Sequence, residues 1–215
     1  MRIVCRIVIV ALAWLPLGAH AQDAAAAPVP VATGEAVEHG CPSSAPAPRR
    51  LALGFAIDLL PTVLSATAGQ FGMSGQIWVG IDHVRLRLVG AQIADPNWLA
   101  ADQGFRDRES TVLAFLVDYV FGPHFDRWWV GTGFELWENS IVNVNAPGEQ
   151  ANWSNVVWTL GGGYIFRFRR NFYVEPWAAG HVVMNDPDVT LGGQTYHSTR
   201  VLAEVSLKLG WFLDL

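Results

Sequence analysis

Thr199 to Leu215 reads TRVLAEVSLKLGWFLDL. Val201, Ala203, Val205, Leu207, Leu209 and Trp211 fall on one phase of a two-residue period. Arg200, Glu204, Ser206 and Lys208 fall on the other. Successive strand side chains point to opposite sides, so this segment has one apolar and one polar wall.

The same alternation runs back to Leu51. It predicts strands at Leu51–Leu60, Gln70–Ile81, Val84–Ala91, Ser110–Phe121, Arg127–Asn139, Asn155–Phe166 and Phe172–Val183, with Thr199–Leu215 as the eighth. The apolar phase carries no charge: Phe55, Ile77, Leu88, Phe115, Phe134, Trp158 and Val174 typify it. The opposite phase holds Asp58, Gln76, Trp78, Arg85, Arg87, Asp118, Glu135, Thr159, Tyr173, Glu175, Trp177, His181, Arg200, Glu204 and Lys208. Small residues such as Gly54, Gly80, Gly131, Gly161 and Gly163 share that phase. Bulky outside and small inside suits the narrow lumen of an eight-stranded barrel, and a wall facing water would carry more Lys and Glu.

Composition agrees. Hydrophobic residues make up 51% and charged ones 15%, against about 25% charged in an ordinary globular domain. After residue 21 no apolar run approaches the roughly 20 residues of a transmembrane helix. A closed β-barrel is then the remaining way to satisfy every backbone group in lipid. The fold class expected is all-β: an eight-stranded antiparallel up-and-down transmembrane β-barrel at 51–215.

Two segments precede it. Arg2 and Arg6, the apolar run Ile7 to Leu17 and Ala19-His20-Ala21 form a secretory signal peptide at 1–21. Residues 22–50, rich in Ala and Pro, read as a disordered linker in the periplasm. Removing the leader moves the formal charge from −5 to −7. That acidity disfavours nucleic acid. Cys5 leaves with the leader, and Cys41 alone makes no internal disulfide.

Connections alternate in length. Asp82-His83, Gly122 to Asp126 and Arg167 to Asn171 are short, whereas Pro61–Gly69, Gln92–Glu109, Ser140–Ser154 and Met184–Ser198 are long. Short periplasmic turns, long outer loops and two periplasmic termini are expected of a bacterial outer-membrane barrel. Phe71, Tyr119, Phe121, Trp128, Tyr164, Phe166, Phe172 and Trp211 would form aromatic girdles at the interfaces. Pro176 falls mid-strand, where a closed barrel has no free edge, and predicts a local bulge.

On these features the chain from Leu51 to Leu215 resembles the small eight-stranded outer-membrane barrels, of the OmpA transmembrane domain and OmpX type. Lys208-x-Gly210-x-x-Leu213-x-Leu215 resembles the terminal signal by which barrel-assembly machinery recognises its clients, with Leu215 where an aromatic is usual. The resemblance implies that machinery, periplasmic chaperones, outer-membrane lipids and lipopolysaccharide as partners, and a monomer.

The inward phase counts five acids (Asp58, Asp118, Glu135, Glu175, Glu204) and four bases (Arg85, Arg87, Arg200, Lys208). Near balance predicts a lumen plugged by ion pairs, with His181 among them; a pore would show a surplus of one sign. Tyr173, Glu175, Trp177 and His181 on one strand are a satisfied network or, alternatively, a small-ligand or proton-responsive site. For a lipid-modifying enzyme, His197 and Ser198 are adjacent and face opposite sides. Asp102, Asp107 and Ser110 share a loop that has no His. His39, His83 and His124 lie in the linker or in turns. No spacing suggests a metal site, and no cofactor is expected. Trp98 and Trp153 are expected on the outer loops. The function expected is a non-enzymatic structural or surface-interaction barrel; a narrow or gated channel and a lipid-modifying enzyme are the alternatives.

Overall fold

The computed structural model describes residues 50–215 except 101–102, 123, 147, 170 and 186–187. The expected leader and linker, apart from Arg50, lie outside the described residues, as does Asp102.

Eight long strands close into one antiparallel barrel: β1 (Leu51–Asp58), β2 (Met73–Ile81), β3 (Val84–Ala94), β4 (Phe105–Val120), β5 (Arg127–Asn143), β6 (Gln150–Phe168), β7 (Phe172–Val183) and β10 (Val201–Asp214). A separate hairpin of β8 (Val189–Leu191) and β9 (Gln194–Tyr196) stands between the last two. The ring runs β1-β10-β7-β6-β5-β4-β3-β2, so β3 lies diametrically opposite β7.

Cross-strand partners set the tilt. From Val201 they run through Val182, Trp158, Phe134, Phe115, Leu88, Ile77 and Phe55 to Trp211, ten residues further along the starting strand. Such a stagger tilts the strands by about 35–45°. Every residue on this path is apolar and outward, and Phe55, Phe115, Phe134 and Val201 are half or more exposed. The outer wall is therefore a lipid-facing belt. At the end carrying the short turns Trp128 and Tyr164 meet edge-on, with centroids 5.0 Å apart, as part of an aromatic girdle.

The inward phase packs the turn end of the lumen. Trp78, Trp129, Tyr173, Phe125 and Phe212 are buried there. The small inward residues are their sockets: a side chain at Gly54 would strike Trp78, at Gly80 Phe125, and at Gly210 Tyr173. The interior is thus not uniformly small. Glycines and aromatics interdigitate.

Boundaries differ from the sequence expectation at the loop end. β5 and β6 continue to Asn143 and from Gln150, so the loop expected at Ser140–Ser154 is mostly strand, and Trp153 lies in β6. Both ends of Gln92–Glu109 are likewise strand, with a register shift between Arg106 and Glu109. Past the lipid belt the alternation changes sense: Ser140, Asn152 and Ser154 take the outward phase, and Ile141, Ala151 and Trp153 turn inward to a loop-end core. Residues 184–198 hold the β8–β9 hairpin, turned by Gly192 and Gly193 at φ +60° and +75°.

β1 is shorter than expected. Asp58 caps a helix, α1 (Leu59–Thr67), accepting a hydrogen bond from the Leu60 amide at 3.2 Å. Pro61 sits in its first turn, where its missing N–H costs no intrahelical bond. Gly69 at φ +72° follows its end. α1 packs against β2, β3 and β10.

The bulge expected at Pro176 is absent. Pro176 pairs with Leu207 in unbroken register, and the β6–β7 register is the same on both sides of it. The β6 ladder simply omits the partners of Glu175 and Pro176. A proline removes one bond without displacing its strand, so Tyr173, Glu175 and His181 remain buried in the lumen.

A two-storey lumen as the candidate functional site

The lower storey, at the turn end, is an ion-pair plug. Arg85 donates from Nε to Asp118 Oδ2 at 2.7 Å and from its two terminal nitrogens to both oxygens of Glu175 at 3.0 Å. Asp118 is the direct cross-strand partner of Arg85, while Glu175 lies across the full lumen. A long, forked side chain is what that span requires. Arg87 reaches the other Asp118 oxygen at 2.8 Å and Gln76 at 3.0 Å. The Trp129 ring lies 5.0 Å from the Arg85 guanidinium and 4.8 Å from that of Arg87. The Trp78 indole donates to the Tyr173 hydroxyl at 3.0 Å. Arg85 and Glu175 are fully buried.

Above the plug Asp58 accepts from the Trp177 indole at 2.8 Å, from the Ser206 hydroxyl and from the Leu60 amide. Lys208, the register partner of Asp58, rests its ammonium 3.8 Å from the Trp177 ring. Higher still, Glu135 accepts from the Thr159 hydroxyl at 2.7 Å and the Trp137 indole at 2.6 Å. His181 is held between that pair and Glu204: Nδ1 lies 2.9 Å from the Thr159 oxygen and Nε2 3.0 Å from Glu204.

The structure thus places Asp58, Arg85, Arg87, Asp118, Glu135, Glu175, His181, Glu204 and Lys208 in the lumen. Arg200 lines the lumen cavity at its rim, exposed and one residue before β10 begins at Val201, with no ion pair among the described residues. Tyr173, Glu175, Trp177 and His181 do not make one site. Eight residues of strand separate the first from the last, roughly 27 Å. Tyr173 and Glu175 join the plug, Trp177 joins Asp58 and Lys208, and His181 joins Glu135 and Glu204. Of the terminal motif, Gly210 faces Tyr173 and Leu213 and Leu215 are exposed.

The upper storey is a cavity of about 870 Å³. Its polar side is the Glu135–His181–Glu204 cluster. Its other side is apolar: Val89 and Ala91 of β3 face Ala114 and Val112 of β4 across the ladder, with Ile93 and Leu116 extending the wall at either end. Sequence reasoning missed this wall because it credited the inward phase with polar and small residues and not with a continuous apolar strip. The signal was present, since Leu88–Ala91 of β3 and Val112–Val117 of β4 carry no polar side chain in either phase. Trp129 was missed as well; in the pair Trp128-Trp129 one ring must face each side.

Toward the loops, Ser110, Asn139 and Asn155 form a hydrogen-bonded row. Phe105, Ile141 and Tyr196 form a second small core beyond it, against which Trp153 packs. Gln103 holds His197 through backbone bonds in both directions. Trp98 is exposed at the same end.

As to catalysis, Thr159 and His181 are a hydroxyl–imidazole pair, but that hydroxyl is committed to Glu135. The Ser110 hydroxyl is committed to Asn139. His197 meets Asp188 at 2.8 Å on the exposed hairpin connection. No group of three or more metal-ligating side chains occurs among the described residues.

No protein-family model and no curated protein matches the chain. Solved structures do. The N-terminal β-barrel domain of Pseudomonas aeruginosa OprF is 15% identical, covers 77% of this chain and 97% of its own, and superposes with a TM-score of 0.48. A major outer membrane protein from Thermus thermophilus is 8% identical over 77% of this chain and 100% of its own, TM-score 0.47. Neisserial surface protein A (NspA) is 11% identical over 78% and 96%, TM-score 0.40.

Proposed function

We propose that this chain is a non-conducting, non-catalytic outer-membrane barrel that carries a structured, externally facing surface. The observation that carries the reading is the Arg85 bridge to Asp118 and Glu175, which spans the lumen where Trp78, Trp129 and Tyr173 fill the space around it. Ions meet a wall of mutually satisfied charges there. The loop-end core of Phe105, Ile141 and Tyr196, with Trp98 exposed at the same end, supports a surface-interaction role. In this reading the short turns and both termini face the periplasm, and residues 1–21 direct export. The Lys208 to Leu215 strand is offered to the assembly machinery, and the loops meet lipopolysaccharide.

Planar-bilayer recording of the refolded protein tests it. A flat baseline is expected, with stepwise currents only in an Arg85→Ser/Glu175→Ser variant. Steady openings of the unaltered chain would overturn the plug. Unchanged lipid A mass spectra in cells with and without the gene are expected of a non-catalytic barrel.

A further inference from the structure

The upper cavity is not walled on all sides by strands. β1 stops at Asp58, opposite Lys208, so Val201–Leu207 of β10 pair with β7 alone. Their other flank faces α1, which fills the notch by side-chain packing rather than by a ladder. Residues from both faces of β10 line the cavity: Leu202 and Glu204 from the lumen side, Val201, Ala203 and Val205 from the lipid side. Leu60 and Leu64 of α1 line it opposite them. The cavity therefore runs round a free strand edge and joins the lipid-facing surface, where Val201 and Val205 are more than half exposed.

At its floor lies an ammonium flanked in register by Asp58 and Glu175, neither of which makes an ion pair with it. Lys208 is 3% exposed, yet among the described residues it has no ion pair or hydrogen bond, only the aromatic faces around it, with the Trp177 ring nearest. Of its two partner acids, Asp58 has turned its oxygens to Trp177, Ser206 and Leu60, and both oxygens of Glu175 are taken by Arg85. Glu135 and Glu204 are engaged by His181 and its neighbours. A buried charge without a hydrogen-bonding partner is costly. Here three N–H donors face a cavity whose other wall is Val89, Ala91, Val112 and Ala114.

We propose that this cavity binds one acyl chain bearing an anionic head, taken laterally from the membrane through the notch between α1 and β10. The head meets Lys208 and the chain lies on the β3–β4 wall. Its volume lies within the range of small-molecule sites, about 300–1,000 Å³. The inference goes beyond the non-conducting reading and does not depend on it, since the plug lies below the cavity.

The test uses the full chain refolded in lipid nanodiscs, with a diazirine-bearing palmitate photolysed in place and mapped by mass spectrometry. Labelling is expected in Val89–Ile93 and Val112–Leu116. Competition by free palmitate or by palmitoyl-lysophosphatidylglycerol is expected, and the stronger competitor identifies the source; hexadecanol should compete about tenfold more weakly, the size of one charge-assisted contact. Lys208→Gln should abolish that tenfold preference, and Ala114→Trp, which fills the cavity while leaving Lys208 in place, should abolish labelling of the inner wall. Both variants are scored only after heat-modifiable migration shows a folded barrel. Labelling confined to outward residues, or equal competition by hexadecanol and palmitate, overturns the proposal.

Discussion

Arg85 and Glu175 meet across the whole width of the barrel, joined through two parallel hydrogen bonds of 3.0 Å. They stand on opposite strands, ninety residues apart in sequence, and both are fully buried. Removing one partner strands a charge in a space closed to solvent. Glu175→Ala should therefore cost about 3–5 kcal/mol of unfolding free energy, read from urea unfolding in detergent micelles. A loss below about 1 kcal/mol, the value of an exposed pair, would show that the bridge does not hold the barrel.

The glycines divide by face. Gly54→Val and Gly210→Val drive a side chain into Trp78 and Tyr173, and overpacking of this kind costs about 1–3 kcal/mol. Gly90→Val and Gly180→Val project into open space and should leave stability unchanged or raise it, since valine restricts the unfolded chain. Equal effects of the two pairs in the same unfolding assay would contradict the assigned frame.

The notch should be visible in hydrogen exchange. Amides of Val201–Val205 that point away from β7 have no β1 partner. They should lose protection well before those of Leu209–Leu213, which lie where β10 is paired with β1. Uniform protection along β10 would mean that the wall is sealed.

Asp58 ties the helix to the lumen. Asp58→Ala removes the cap and the acceptor for Trp177. It should destabilise the protein by at least about 1 kcal/mol and speed exchange in α1. Asp58→Asn keeps the cap and should retain most of that protection.

The outer wall was legible because a strand in lipid has no alternative to an apolar outward residue at every second position, so Phe55, Phe115 and Val205 declare their side individually. The plug was legible only as a list. Arg85, Asp118 and Glu175 could be assigned inward one by one. That Arg85 spans to Glu175 follows from β3 standing opposite β7 and from the ten-residue stagger, which no local pattern encodes.

α1 hides in the sequence as strand and loop, because Leu59 and Leu60 continue the apolar run of β1. The cap at Asp58 and the burial of Pro61 and Ser65 against the neighbouring strands decide the matter, and these exist only once the barrel has closed. The loop-end extensions of β5 and β6 are hidden for the converse reason: beyond the lipid the outward phase turns polar while Ile141 and Trp153 turn inward to a separate core, so the pattern that marks the lipid-facing strands no longer continues.

The sequence by itself determined which residues face lipid, where the short turns fall and that the barrel strands number eight, since lipid and backbone hydrogen bonding act on every residue locally. Only the tertiary structure decided that the lumen is plugged at one end and hollow at the other. It also decided that Lys208 faces the hollow without a direct ion pair and that the wall beside it is flanked by a helix instead of a paired strand. Those outcomes depend on which inward side chains meet across the barrel, and closure alone sets that.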